Sequence, residues 1–228
     1  MAFECNDDAL ELLFLEHVAS SFDKQMHLMD VIDKRDWAFN MGTGLLSFGT
    51  DRFKVQVIGT ESCVSQTWKW AWANKESKIP VKLLDSCEIL RSYGKKHKVS
   101  KFTKASFDLD ELSNGHIIST IACGLCKGSA YYRCPYDGGA AFFIIDDISF
   151  PMRPPTNVAL RVCSIFPQAV LSYPVSDHKK AFVNYLFFYN ARVIDENDCV
   201  VGVFGEGTTV KATFDEKGRL LNIASSKD

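Results

Sequence analysis

The spacing of apolar residues divides this chain into blocks of different period. From Asn6 to Asp30 the positions Leu10, Leu13, Phe14, Val18, Phe22, Met26 and Met29 recur every three or four residues, with Asn6 or Asp7 suited to cap the start. That period predicts one amphipathic helix with a single buried stripe. From Asp36 to Asn74 the period becomes two: Trp37, Phe39 and Met41 alternate, then Phe53, Val55 and Val57, then Trp68, Trp70 and Trp72. Turn signals at Gly42 to Gly44, Thr50 to Arg52 and Gly59 to Ser62 separate these runs, so the block reads as an antiparallel meander.

Pro80 suits the first position of a helix through about Leu90, carrying Val81, Leu84, Cys87 and Leu90 on one side and terminated by Gly94. A second helix follows Asp108. The phrase SAYYRCPYDGGAAFFIIDD has two apolar runs flanking Asp137, Gly138 and Gly139, the pattern of a hairpin, and Pro135 confines its first strand to an edge or a bulge. Pro151, Pro154 and Pro155 form the one plausible linker. Beyond it, Thr156 to Leu171 reads as helix interrupted by Pro167, Asp177 to Tyr189 as helix again, and the C-terminus returns to strands at Val200 to Phe204, Thr209 to Phe214 and Arg219 to Ile223. Grouped strands and grouped helices without βαβ alternation predict an α+β fold, a mainly antiparallel sheet packed with several helices. The expected organisation is one domain over residues 1–228 with a subdomain junction near 151–155.

The densest feature is the stretch TWKWAWAN. On a β-strand its spacing puts Trp68, Trp70 and Trp72 on one face, with Lys69, Ala71 and Ala73 opposite. Each indole can bury about 150–250 Å² and has an N–H that needs an acceptor, so the row is either the heart of a core or the wall of an aromatic pocket. Core packing is the expectation for Trp68 and Trp72. Trp70, flanked on both sides, is the indole expected to meet a ligand if a pocket forms, in company with Tyr131 or Tyr132, Arg133 and Asp137. In that arrangement Ala71 and Ala73 admit a helix on their side and the indoles face into a curved sheet. The ligand-binding candidates are therefore Trp68, Trp70, Trp72, Tyr132, Arg133 and Asp137.

With 228 residues, 46% hydrophobic and 24% charged, the chain has the composition of an ordinary soluble globular protein. A net charge of -2 and a pI near 6.2 give no overall attraction for phosphates or anionic lipid. Lys95, Lys96, Lys98, Lys101 and Lys104 form a local basic cluster, read as a solvated loop, and only Phe102 interleaves with them as a stacking platform would require. No nucleic-acid partner is expected. The N-terminal stretch lacks a basic n-region and an unbroken apolar h-region, and no run reaches the roughly 20 apolar residues of a membrane-spanning helix. A cytoplasmic protein without a membrane partner is the expectation, and in a reducing compartment its eight cysteines are free thiols rather than a disulfide framework.

Candidate chemistry is sparse. Cys123 and Cys126 form a C-x-x-C pair, a spacing used by redox dithiols and by zinc sites, the latter with Cys134 and His116 as further ligands. The pair falls in the last turn of its helix, where the dipole disfavours a thiolate, so small buried side chains are the expected role. His17, His27, His97, His116 and His178 include no close pair, and Asp146-Asp147 alternates faces at a strand exit. No nucleophile elbow, zincin pair, phosphate-binding loop or dinucleotide fingerprint occurs. No cofactor and no metal are expected.

The phrases TWKWAWAN, EILRSYG, AYYRCPYDGGAAFFII and FDEKGRLLNI together resemble an uncharacterised family of bacterial proteins of unknown function. The resemblance implies a bacterial, cytosolic protein and transfers no catalytic residue. Two functional readings remain: a non-enzymatic binding or interaction protein, of the accessory or immunity type, acting on an unknown protein partner; or a small-molecule binder or enzyme whose cavity the tryptophans line, with Tyr132, Arg133 and Asp137 as polar contacts.

Overall fold

A computed structural model describes residues 7–154 and 156–227. The chain is α+β and divides into two compact units. One long helix, α1 (Asp7–Ile32), takes part in both: residues Leu12–Asp23 belong to the second unit and the flanking parts to the first. This sharing explains why the helix has no single buried stripe. Leu13, Phe14, Leu15, Val18, Ala19, Phe22, Leu28 and Ile32 are all buried, on several sides of the helix, whereas Met29 of the expected stripe is exposed. The capping residue Asn6 lies outside the described residues.

The first unit, Lys24–Met152 with the start of α1, is built on a seven-stranded antiparallel sheet. Its strands are β1 (Trp37–Asn40), β2 (Leu45–Phe48), β3 (Asp51–Ser62), β4 (Thr67–Trp70), β5 (Ser106–Asp108), β6 (Ala130–Tyr136) and β7 (Gly139–Ile145). Strand β3 pairs with β2 near its start, with β4 at its end, and with β7 along most of its length, while β6 pairs only with β7. The Asp137-Gly138 hairpin forms as the sequence predicts, and Pro135 sits on an edge strand, where its missing N–H costs no ladder bond.

Gly59 to Ser62 is not a turn. β3 runs through it, and the register shifts between Val57 and Gly59. This bulge turns Val55 and Val57 to one face and Gly59 and Glu61 to the other. Glycine is required there by close approach: a Cβ at residue 59 would sit 2.4 Å from Trp68 Cζ2 and 2.7 Å from the Lys69 carbonyl.

The two faces have different fillings. Across one, Phe39 of β1 meets Phe143 of β7 with ring centroids 4.4 Å apart, and Trp37 and Phe48 reach Tyr132 of β6 at 6.4 and 4.8 Å. Strands separated by several neighbours touch here only because the sheet curls toward this face. The other face is covered by α2 (Asp85–His97), the single turn α3 (Ser100–Thr103) and α4 (Gly115–Leu125). Trp68 and Trp70 lie on this helix-covered face, both 0% exposed. They meet edge to face at 5.5 Å, with Phe142 beside Trp68 and Phe102 beside Trp70, and the Trp70 indole donates to the Lys101 carbonyl at 2.8 Å.

The expectation of three indoles in one row inside a curved sheet is therefore corrected. β4 ends at Trp70, and Ala71–Ala73 form a 3₁₀ turn that carries Trp72 off the strand, where the Arg91 guanidinium lies 4.1 Å over its ring. Trp72 is half-buried, and Trp70, the indole expected to meet a ligand, is enclosed.

Helix α2 also departs from expectation. Val81–Leu83 form a 3₁₀ turn before it, and it passes Gly94 to end at His97, where Lys98 takes a left-handed conformation at φ 58°. Gly94 serves packing rather than termination, since a Cβ there would meet the Phe102 Cβ at 2.6 Å. The lysine cluster is correspondingly not one solvated loop. Lys95 and Lys96 close α2, and Lys101 is buried, its ammonium donating to Asp110 and to Ser113, each at 2.6 Å.

The second unit packs Leu12–Asp23 of α1, α5 (Val158–Ser172) and α6 (His178–Phe188) with a four-stranded antiparallel sheet in the order β11-β10-β9-β8. These strands are β8 (Arg192–Glu196), β9 (Cys199–Val203), β10 (Thr208–Phe214) and β11 (Leu220–Lys227). Helix α5 runs through Pro167 without interruption; Val162, Ile165, Phe166 and Ala169 are buried on either side of the proline and hold both halves on the core. β8 is mostly exposed and was not expected from the sequence. At the centre of this unit Asp23, 4% exposed, accepts hydrogen bonds from the Tyr185 and Tyr189 hydroxyls and from Arg153.

Two expectations follow. Replacing Trp68 or Trp70 by alanine should cost about 3–5 kcal/mol, and replacing the half-buried Trp72 clearly less. Denaturant unfolding followed by tryptophan emission reads this unit directly, because all four tryptophans, Trp37, Trp68, Trp70 and Trp72, lie in it. Asp23→Ala removes the carboxylate shared by Arg153 and the Tyr185 and Tyr189 hydroxyls and should cost about 3–5 kcal/mol in unfolding followed by circular dichroism. A variant as stable as the parent would contradict the role assigned to the carboxylate.

Candidate functional site

Cross-strand neighbours share a face, so pairing Arg133 with Phe142 and Glu61 with Trp68 sets both charged side chains on the helix-covered face of the first unit's sheet, at the rim of its core. Arg133 Nε donates to Glu61 Oε1 at 3.1 Å, and Glu61 Oε2 accepts from the Gly115 backbone N–H at 3.3 Å, the first amide of α4. Asn114 caps the next two amides, His116 and Ile117, at 3.0 and 3.1 Å. Glu61 is thus held at both oxygens, and it fixes the guanidinium through Nε alone. Among the described residues the two Nη groups of Arg133 make no hydrogen bond, and its side chain is 34% exposed.

His116 completes the cluster. Its Nδ1 lies 3.1 Å from the Tyr131 hydroxyl, and its ring meets Phe142 edge-on at 5.6 Å. Part of the ring stays exposed, but its burial against these neighbours pushes the imidazole below its ordinary pKa; the Glu61 charge opposes that shift and the Arg133 charge adds to it. The net shift favours the neutral imidazole. The rim therefore presents one positive fork, a compensated carboxylate and a neutral imidazole, a set suited to hydrogen-bonding recognition of a carboxylate, phosphate or amide group.

The structure brings together only part of the set expected from sequence. Arg133 stands at the rim and Trp68 lies beneath it beside Phe142. Trp70 is deeper in the same core, and Trp72 stands apart under Arg91. Tyr132 points to the opposite face, against Trp37 and Phe48, so Tyr131 takes the place beside Arg133. Asp137 is exposed in the hairpin turn. Glu61 escaped the sequence because its strand was read as a turn, and His116 was weighed as a zinc ligand and as one of five scattered histidines. The usable signal was the alternation of β6, which puts Tyr131 and Arg133 on one face once the Asp137-Gly138 turn fixes the register.

Burial disfavours the thiolate at several of the described cysteines. Cys123 and Cys126 occupy the end of α4, as expected, and both are unbridged. Burial pushes the Cys126 thiol up to about 11 and the Cys87 thiol to about 12, and raises Cys134 further. Among the described residues no group of three or more His, Cys, Asp or Glu side chains is arranged to hold a metal ion. Asp147 accepts from the Lys54 N–H and from Ser149, closing the strand exit rather than pairing with Asp146.

The extent of the sequence match to a known family follows the same architecture. The chain belongs to a family of unknown function, DUF6882, whose match covers residues 11–148. That stretch contains every strand of the seven-stranded sheet and all of the Glu61, His116, Tyr131 and Arg133 cluster, and it ends before the second unit's α5 begins. No curated protein and no solved structure matches the chain.

The raised thiols fix a pH dependence. A thiol that stays neutral in the folded protein contributes stability that is complete below its unfolded pKa of 9.0 and is lost as pH climbs toward the folded values of about 11 for Cys126 and about 12 for Cys87. Stability should fall between pH 9 and 11 in wild type. The fall should be shallower in a Cys87→Ala, Cys126→Ala variant, measured by urea unfolding across that range.

Proposed function

We propose that this protein is a non-enzymatic binding or interaction protein that engages a protein partner through the Arg133, Glu61, His116 and Tyr131 rim of its first unit, in the manner of an accessory or immunity protein. One observation carries the reading: Trp68 and Trp70 are fully enclosed and packed on Phe142, Phe102 and each other, so the indoles occupy the space that a small-molecule cavity would need. What remains on the surface is a guanidinium held by one nitrogen and open at two, and Arg is among the residues that most often anchor protein interfaces. Nucleic acid is a poor fit, because Lys101 of the basic cluster is buried and paired with Asp110. No helix among the described residues is long and apolar enough to cross a membrane. A cytoplasmic setting accords with the seven described cysteines, all unbridged.

The competing reading, a tryptophan-lined cavity for a small molecule, is separated by the same experiment. Wild-type protein and Arg133→Ala serve as baits in affinity capture from extract of the source cells, with native mass spectrometry of the purified protein alongside. The expected result is a protein retained by wild type and lost by Arg133→Ala. A small molecule co-purifying with the protein, unaffected by Arg133→Ala, or identical captures by both baits, would contradict the proposal.

A further inference from the structure

The outward face of α2 in the first unit is not used by the rim described above. Residues Asp85, Glu88, Ile89, Tyr93, Lys96 and His97 line an open depression of about 730 Å³ along this face. Cys87, Leu90 and Gly94 on the opposite side are buried in the core, so the helix is anchored and its outer face is presented rigidly. Ile89 is 49% exposed, and the Tyr93 ring stacks on His97 with centroids 4.1 Å apart, giving an apolar centre. Charge is segregated around that centre: Asp85 and Glu88 in the first turn, Lys95, Lys96 and His97 in the last.

A face with acid at one end, base at the other and apolar groups between is complementary to itself turned end for end. We infer that this face of α2 docks against the same face of a second copy of the chain, the two helices antiparallel about a twofold axis near Arg91 and Ser92. With that axis, Lys96 of each copy falls beside Asp85 and Glu88 of the other, and each Tyr93 covers the other's Ile89. Both sets of contacts are made twice, as a closed twofold pair demands. The antiparallel arrangement also opposes the two helix dipoles. Among the described residues the Glu88 carboxylate makes a 3.7 Å contact with Arg91, whose guanidinium is stacked on Trp72, and is exposed to a second cation. A single helix face buries less than a standard interface, so the dimer is weak, assembling in the micromolar range and loosening with salt.

Charge reversal tests the pairing. Sedimentation velocity of the full chain over low to high micromolar concentrations should show wild type passing from monomer to dimer. Glu88→Lys puts two lysines face to face and Lys96→Glu two acids, so each variant alone should raise the dimer dissociation constant by about tenfold or more. An equimolar mixture of the two variants restores opposite charges at both contacts and should recover a heterodimer near wild-type strength. Both positions are exposed, and unchanged far-ultraviolet circular dichroism establishes that the variants fold. A wild type that stays monomeric throughout, a dimer indifferent to both reversals, or a mixture that fails to recover would overturn the inference.

Discussion

Everything in the first unit depends on how closely the Trp68 indole approaches the backbone of β3 at Gly59. The glycine has no Cβ to hold the ring off, and the bulge beside it turns Glu61 to the same face as the indole. Two consequences follow from one contact. Below it, Trp68, Trp70 and Phe142 close into a filled layer under α3 and α4. Above it, Glu61 arrives at the edge of that layer in reach of both the α4 N-terminus and Arg133. The core and the rim are thus two sides of a single packing decision in β3.

Much of the fold was legible because its elements declare themselves locally. The 137–139 turn, a helix beyond Asp108 and the last two strands come from turn chemistry or periodicity that needs no knowledge of what packs where. What was hidden required tertiary information. Gly59 and Gly94 are textually identical to punctuation, yet both are buried inside continuous elements, where a neighbouring ring or Cβ leaves no room for a side chain. Trp72 keeps the spacing of the strand that precedes it, but the strand ends at Trp70 and the third indole pivots away on a 3₁₀ turn. Strands β5 and β8 are short and mostly exposed, and their few apolar residues (Phe107; Val193 and Ile194) do not make a period-two run.

The candidate site was legible only in half. Arg133 could be singled out from its hairpin, but the partners that give it meaning come from elsewhere in the chain: Glu61 is 72 residues away in sequence, and its role exists only because β3 and β6 flank β7. Charged residues on a rim acquire function from register, and register is a global property. The two charged features differ in this respect. The α2 face is a pattern of one helix and its charge segregation is local, whereas the Arg133 rim is assembled from three elements. The family match encloses both features, and it stops before α5 and the four-stranded sheet of the second unit.

The central claim is that Trp68 and Trp70 are enclosed in a filled layer on the helix-covered face of the sheet, and Gly59→Ala tests it most directly by adding one methyl group at the tightest point. Urea unfolding followed by tryptophan emission compares this variant with the parent. The account predicts a loss of at least about 1–3 kcal/mol, the cost of overpacking a well-packed core, because the new Cβ would meet both the indole and the Lys69 carbonyl. A variant as stable as the parent would mean that the indole can move aside into free volume, and would contradict the filled core on which the surface-binding reading stands.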